Sequence, residues 1–246
     1  MDSSSTSPLK RLTEDLLPGM PVSSSWLAER GVSPQLAYRY VKGGWLQSLS
    51  RGVFAKPGGE LDRDHSLRLL AQLGHGIHVG GKTALAWQGF IHNLSLGSER
   101  LVLFRGGDRG LPGWFTSRFR CRVSGRKLFE EDRAAPLYVT DTNSRHPKVP
   151  VSEAERAMLE MLSDVPHWQG LDEAKQLMEG LVSLRAEPLR ELLNRCVSVK
   201  TVRLFLQFAR QLDMPVLKEL PADGFRTGSK SRYVRKLPHG TLVLKP

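Results

Sequence analysis

The stretch SSSWLAERGVSPQLAYRYVKGGWLQSLSRGVFAKPG, residues 23–58, decides how the rest of the chain is interpreted. Its first part predicts two short helices that are joined by a tight turn. Gly31 can adopt the left-handed conformation that closes the first helix. Ser33 is a good N-cap for the second helix, and Pro34 then occupies the first helical position, where its missing N–H costs nothing. Gly43-Gly44 ends that second helix.

The second part of the same stretch predicts a small β-hairpin. Trp45 and Leu46 begin a strand, residues 48–51 form a polar turn, and residues 52–55 return as the second strand. Two helices in a tight pair followed by a hairpin are typical of a winged helix-turn-helix. We therefore predict a module that binds DNA, with the second helix as its recognition helix.

One face of the predicted recognition helix has the chemistry needed to contact DNA. Gln35 and Arg39 can pair with purine edges, while Tyr38 and Lys42 can reach phosphates. The other interpretation is an ordinary helical hairpin with a solvated polar face. The candidate DNA-binding residues, two of them from a basic stretch near the C-terminus, are Ser33, Gln35, Tyr38, Arg39, Lys42, Arg51, Lys230 and Arg232.

Composition indicates a polyanionic partner. The 246 residues include 36 Lys+Arg and 25 Asp+Glu, which gives a net charge of +11. An excess of positive charge favours nucleic acid through neutralisation of phosphates, although a membrane surface or an acidic protein would also fit. No apolar run is long enough for a membrane span, and MDSSSTSPLKR lacks the apolar core of an export signal. The two cysteines have no metal-ligand spacing, so we expect reduced thiols in a cytoplasmic protein.

The pattern along the chain predicts an α+β protein with two domains. The first is the winged helix-turn-helix of residues 1–59. The second is a larger mixed α/β domain of residues 60–246, with subdomains 60–150 and 151–246, a helical bundle and a terminal β-hairpin. The predicted helices outside residues 23–58 are 9–17, 62–73, 83–90, 171–184, 188–196 and 199–212, and the predicted strands are 101–104, 119–123 and 136–140.

A further helix is predicted to begin at a capping box. Ser152 would be the N-cap, and Glu155 would return a hydrogen bond from the third helical position.

The segment Gly76–Thr83 matches the phosphate-binding pattern G-x-x-x-x-G-K-[ST]. The preceding residues predict a helix rather than the buried strand that such a loop requires. We therefore interpret the segment as a glycine-rich turn between two helices, with Thr83 as an N-cap. The nearby histidines fit no zinc pattern, and no complete catalytic set is recognisable, so we expect neither cofactor nor metal. These histidines are His65, His75, His78 and His92.

Two other stretches are strongly basic. Residues 118–127 read RFRCRVSGRK, and residues 226–236 read RTGSKSRYVRK. Either could provide a stripe of phosphate contacts, or it could simply be a solvated basic surface.

Four motifs in this order resemble the AbiEi antitoxins of type IV toxin–antitoxin systems. They are GWL…SRGVFAKPG, GGKTALAWQGF, VPVSEAERAMLEML and the terminal GSKSRYV…GTLVLKP, and together they extend over nearly the whole chain. The resemblance implies an autorepressor that binds inverted repeats upstream of its own operon. It also implies a C-terminal domain that opposes a nucleotidyltransferase-like toxin, without requiring a stable complex with it. The family's recognition-helix role would fall to Gln35, Tyr38, Arg39 and Lys42, and its wing role to Arg51.

Two alternatives from other classes stay open at this point. One is an enzyme that modifies nucleic acid or protein and is targeted by the winged helix; only the segment Gly76–Thr83 supports it. The other is an interaction protein in which the winged helix binds a protein rather than DNA.

Overall fold

The computed structural model describes residues 7–90, 100–130, 136–142, 147–221, 224–229, 231–237 and 240–244. His92 and Lys230 lie outside these ranges. The helices are α1 Pro8–Asp15, α2 Ser24–Glu29, α3 Pro34–Lys42, α4 Arg63–Gln72, α5 Gly81–Trp87, α6 Gly113–Thr116, α7 Ala154–Asp164, α8 Leu171–Glu179, α9 Ala186–Arg195 and α10 Val199–Gln211. The strands are β1 Val22–Ser23, β2 Gln47–Ser50, β3 Val53–Ala55, β4 Ile77–Val79, β5 Leu101–Arg105, β6 Cys121–Ser124, β7 Val139–Asp141, β8 Pro150–Ser152, β9 Tyr233–Leu237 and β10 Gly240–Leu244.

The chain is α+β and forms two compact units. The first unit contains Met1–His75, Arg109–Phe119 and Asn143–Val149. The second contains Gly76–Asp108, Arg120–Thr142 and Pro150–Pro246. The first unit therefore continues past Gly59 and includes α4. Among the helices of the described ranges, none is both long and apolar enough to cross a membrane.

In the first unit, α1, α2 and α3 pack around one apolar core beside a three-stranded sheet of order β1-β3-β2. The helix pair predicted from residues 23–58 is present. The hairpin is present too, but its first strand is β2 and not Trp45–Leu46: residues 48–50, predicted as a turn, pair with β3. Gly31 has φ +77° after α2, and the Ser33 hydroxyl accepts a hydrogen bond from the Leu36 amide at 3.2 Å. The core consists of Leu12, Leu16, Val22, Leu27, Val32, Ala37 and Leu46.

The second unit is built on a five-stranded mixed sheet of order β6-β5-β4-β8-β7. Strand β4 pairs antiparallel with β5 and parallel with β8, so it lies at the centre of the sheet. Helix α7 packs on α5, α9 and α10. The predicted C-terminal hairpin is confirmed by the antiparallel pair β9–β10.

The interpretation of Gly76–Thr83 as a turn between helices is wrong. Its residues 77–79 form β4, which is buried and paired on both edges. Gly80 is the N-cap residue of α5, and the Thr83 hydroxyl instead accepts a hydrogen bond from the Val102 amide at 3.0 Å. A strand of three residues is too short to show a period of its own, and here its long-range partners define it.

The predicted capping box is also wrong. Ser152 is the last residue of β8, and its hydroxyl donates to a Glu160 carboxylate oxygen at 2.8 Å. Glu155 is buried and accepts hydrogen bonds from Arg185, and α7 begins after Glu153. Ser152 and Glu155 thus form hydrogen bonds with Glu160 and Arg185 and do not cap the helix together.

Candidate nucleic-acid interface

The exposed face of α3 presents the four side chains that the sequence singled out. Gln35, Tyr38, Arg39 and Lys42 are all exposed, with Tyr38 at 60%. The Lys42 ammonium lies 5.0 Å from the centre of the Tyr38 ring. On the opposite face Ala37 is buried in the core, so the orientation of α3 is fixed by packing. The structure therefore brings these four side chains together on one solvent-facing surface.

Ser33 has a structural task at the start of this helix. Its hydroxyl oxygen caps α3 through the Leu36 amide. Ser33 therefore stabilises the start of α3, and a contact between its hydroxyl and DNA stays a prediction.

Arg51 is exposed at the turn between β2 and β3, in the same unit as α3. The turn is tied back to the helix pair, because the amide and the hydroxyl of Ser24 both donate to the Gly52 carbonyl, at 2.9 and 3.3 Å. Gly52 has φ +76°, a conformation that favours glycine. The arginine is therefore presented by a turn with a defined backbone.

A cavity of about 480 Å³ in the second unit contains Arg232, which is exposed just before β9. Arg203 and Arg210 of α10 also line it. Lys230, the other C-terminal candidate, lies outside the described residues. The candidate residues are thus divided between the two units, with six in the first and Arg232 in the second.

Sequence reasoning missed a cavity of about 390 Å³ beside Arg51 in the first unit. Ser24, His75 and Arg109 also line it. Arg109 donates to the Leu73 carbonyl at 2.7 Å, which anchors the segment 109–119 within this unit. Burial, together with repulsion from Arg109, lowers the pKa of His75. The only signal in the sequence was the density of glycine and charge in residues 106–113.

In the segment Gly76–Thr83, groups that would bind a phosphate in a P-loop form bonds with other residues of the protein. The Gly81 amide donates to the Glu160 carboxylate at 3.0 Å, and the Lys82 ammonium pairs with Glu173 at 2.9 Å. Glu160 is fully buried and also bonds His78 at 2.9 Å and Arg156 at 2.7 Å. This arrangement is a buried ionic network that holds β4, α5 and α7 together.

Electrostatics in this network favour an ionised carboxylate. Burial alone would raise the pKa of Glu160, but attraction and hydrogen bonds from His78 and Arg156 outweigh it and lower the pKa to about 2. The cysteines instead favour the protonated thiol, because burial raises the pKa of Cys121 and raises that of Cys196 to about 11. Within the described ranges, no group of three or more His, Cys, Asp or Glu side chains could hold a metal ion.

Comparisons with known proteins agree along the chain. Residues 98–245 match a family model described as "Transcriptional regulator, AbiEi antitoxin, Type IV TA system". Residues 5–96 match one described as "Transcriptional regulator, AbiEi antitoxin N-terminal domain". Among solved structures, the RV2827C protein from Mycobacterium tuberculosis has a similar fold, with a TM-score of 0.55 and 17% identity over 92% of this chain and 86% of that one. The comparison with curated proteins gives no match.

Proposed function

Since the chain belongs to the AbiEi family of type IV antitoxins that are transcriptional regulators, we propose that it represses its own operon by binding inverted-repeat promoter DNA. In this proposal α2, α3 and the β2–β3 hairpin act as a winged helix-turn-helix. Helix α3 enters the major groove, and the hairpin follows the neighbouring backbone.

The observation that carries the proposal is the exposed face of α3. Gln35 and Arg39 have the donors and acceptors that pair with purine edges, and Lys42 and Tyr38 suit phosphate oxygens. Arg51, on its anchored turn, adds a phosphate contact from the hairpin. A positive charge of +11 over the chain supports a polyanionic partner.

The second unit is the proposed antitoxin part. We infer a regulatory rather than a catalytic role, in which this unit opposes a nucleotidyltransferase-like toxin. The family descriptions support the antitoxin role, and the proposal does not require a stable complex between the two proteins.

Replacing Arg39 tests the recognition helix. We expect Arg39→Ala to weaken binding to a palindromic fragment from upstream of the operon by about 5- to 150-fold, because one good base contact contributes about 1–3 kcal/mol. The loss should be smaller on an unrelated duplex of equal length, where no base is read. Gel-shift titrations of the full chain measure both affinities.

Arg11→Ala is the matched control, since Arg11 is an exposed arginine of the same unit and its loss changes the net charge equally. It should leave the preference for the palindrome unchanged. If Arg39→Ala bound the palindrome as tightly as the parent, α3 would not be the recognition helix.

A further inference from the structure

Both basic stretches of the sequence contribute positive charge to one region of the second unit. Arg122 and Arg126, from residues 118–127, line a cavity of about 140 Å³ between the β6 end and the end of α7. Lys200, at the start of α10, lies close enough to Arg126 and to Arg235 of β9 to be repelled by both. Residues more than 100 positions apart in the sequence therefore concentrate positive charge at one place.

The protein holds these cations in place with its own oxygen atoms. The Lys200 ammonium donates to the Ser163 carbonyl at 2.7 Å and also to the Val165 carbonyl. Arg122 pairs with Asp164, the one carboxylate that the described residues contribute to the cavity lining. Burial first, and then Arg126 and Arg235, lower the pKa of Lys200 to about 8. Arg126 itself is exposed. The described lining of the cavity thus contains two arginines and one carboxylate, and this positive charge favours an anion.

The indole ring of Trp168 lies at the same cavity. Trp168 is 63% exposed and belongs to the cavity lining, and the Arg122 guanidinium carbon lies 5.5 Å from the centre of its ring. An exposed indole beside guanidinium groups is the combination on which nucleobases stack while their phosphates are neutralised.

The size of the cavity restricts what enters it. The volume of about 140 Å³ suits a small anionic group such as a phosphate. A base attached to that phosphate would then lie at the rim of the cavity. Trp168 lies at that position, and the exposed imidazole of His167 is beside it.

We propose that this cavity binds a phosphorylated nucleoside, with the phosphate between Arg122 and Arg126 and the base stacked on Trp168. The nucleoside is either a free nucleotide or the end of a single-stranded nucleic acid. The site lies in the second unit and is separate from the proposed recognition helix α3, so it does not rest on the proposed function.

The test uses the full chain and a 5′-phosphorylated oligoribonucleotide of about eight nucleotides, labelled at its 3′ end and followed by fluorescence anisotropy. We expect binding, and we expect Trp168→Ala and Arg126→Ala each to weaken it by about fivefold or more. Trp168→Phe should retain much of the affinity, since a phenyl ring still stacks. Unlabelled AMP, the same oligonucleotide without its phosphate, and inorganic phosphate serve as competitors.

The competitors distinguish the two sources of the ligand. AMP competing as well as the phosphorylated strand indicates a free nucleotide, and a clear advantage of the strand indicates a nucleic-acid end. Trp45→Ala removes another exposed tryptophan, and Arg100→Ala removes another exposed arginine of the second unit. Neither should change the affinity, and nor should Arg39→Ala. The proposal is overturned if no probe binds, if Trp168→Ala and Arg126→Ala bind like the parent, or if AMP competes no better than inorganic phosphate.

Discussion

At the scale of single residues, Glu160 connects several elements of the second unit. Its carboxylate accepts from His78, Arg156, Ser152 and the Gly81 amide, and it is completely buried. Replacement by Gln keeps the shape but removes the negative charge that pairs with the buried Arg156 and His78. We expect Glu160→Gln to reduce the free energy of unfolding by about 3–5 kcal/mol, measured by urea denaturation at neutral pH.

Glu173→Gln is the control for this change, because Glu173 forms a half-exposed pair with Lys82. It should cost less than about 1 kcal/mol. If the two variants were equally stable, the network around Glu160 would not hold the unit together.

The pH dependence of stability follows from the same residue. The pKa of Glu160 is lowered from 4.5 to about 2 in the folded protein, so the unfolded chain binds the proton more readily. The stabilisation is fully present above pH 4.5 and is lost as the pH falls towards 2. Urea denaturation at a series of pH values should show a decline over this window in the parent. A decline of the same size in Glu160→Gln would assign it to other carboxylates.

At the scale of elements, α3 depends on its first residue. Ser33→Ala removes the cap on the Leu36 amide, and we expect it to lower the stability of the first unit by about 1 kcal/mol in thermal or urea unfolding. Ser33→Asn keeps a capping oxygen without adding charge, so both stability and promoter binding should stay near those of the parent. If Ser33→Asn kept stability but weakened promoter binding, the hydroxyl itself would contact DNA.

The same scale shows what local sequence can predict. Helices α2 and α3 were predictable because their boundaries are set by neighbours in sequence: Ser33 with Leu36, and Gly31 at φ +77°. The presence of a hairpin was predictable as well, but the bounds of β2 were not, because its polar residues become a strand by pairing with β3. Strand β4 was missed because three buried residues gain their conformation from pairing with β5 and β8. The capping box failed because Ser152 bonds a residue eight positions away instead.

At the scale of the whole molecule, folding determines which positive charges lie near one another, and composition gives only their number. The charge of +11 indicated a polyanion, but it did not tell which lysines and arginines act together. Four residues of the face of α3 are close in sequence, so their grouping was predictable from the helical period. The grouping of Arg126, Lys200 and Arg235 was not, because these three side chains are far apart in the sequence and act on one another only in the folded second unit.

Two separate binding surfaces predict two separate patterns of salt dependence. For the promoter duplex, each lost phosphate contact should reduce the slope of log K against log salt by about 0.9. We therefore expect Lys42→Ala to reduce that slope by about 0.9 and to leave binding of the single-stranded phosphorylated oligonucleotide unchanged. Arg126→Ala should weaken the oligonucleotide and leave the duplex slope unchanged. Anisotropy titrations of both variants with both ligands, over a series of salt concentrations, test this. If each variant altered both ligands equally, one continuous basic surface would bind duplex and single strand alike, because independent sites cannot share the effect of a single charge.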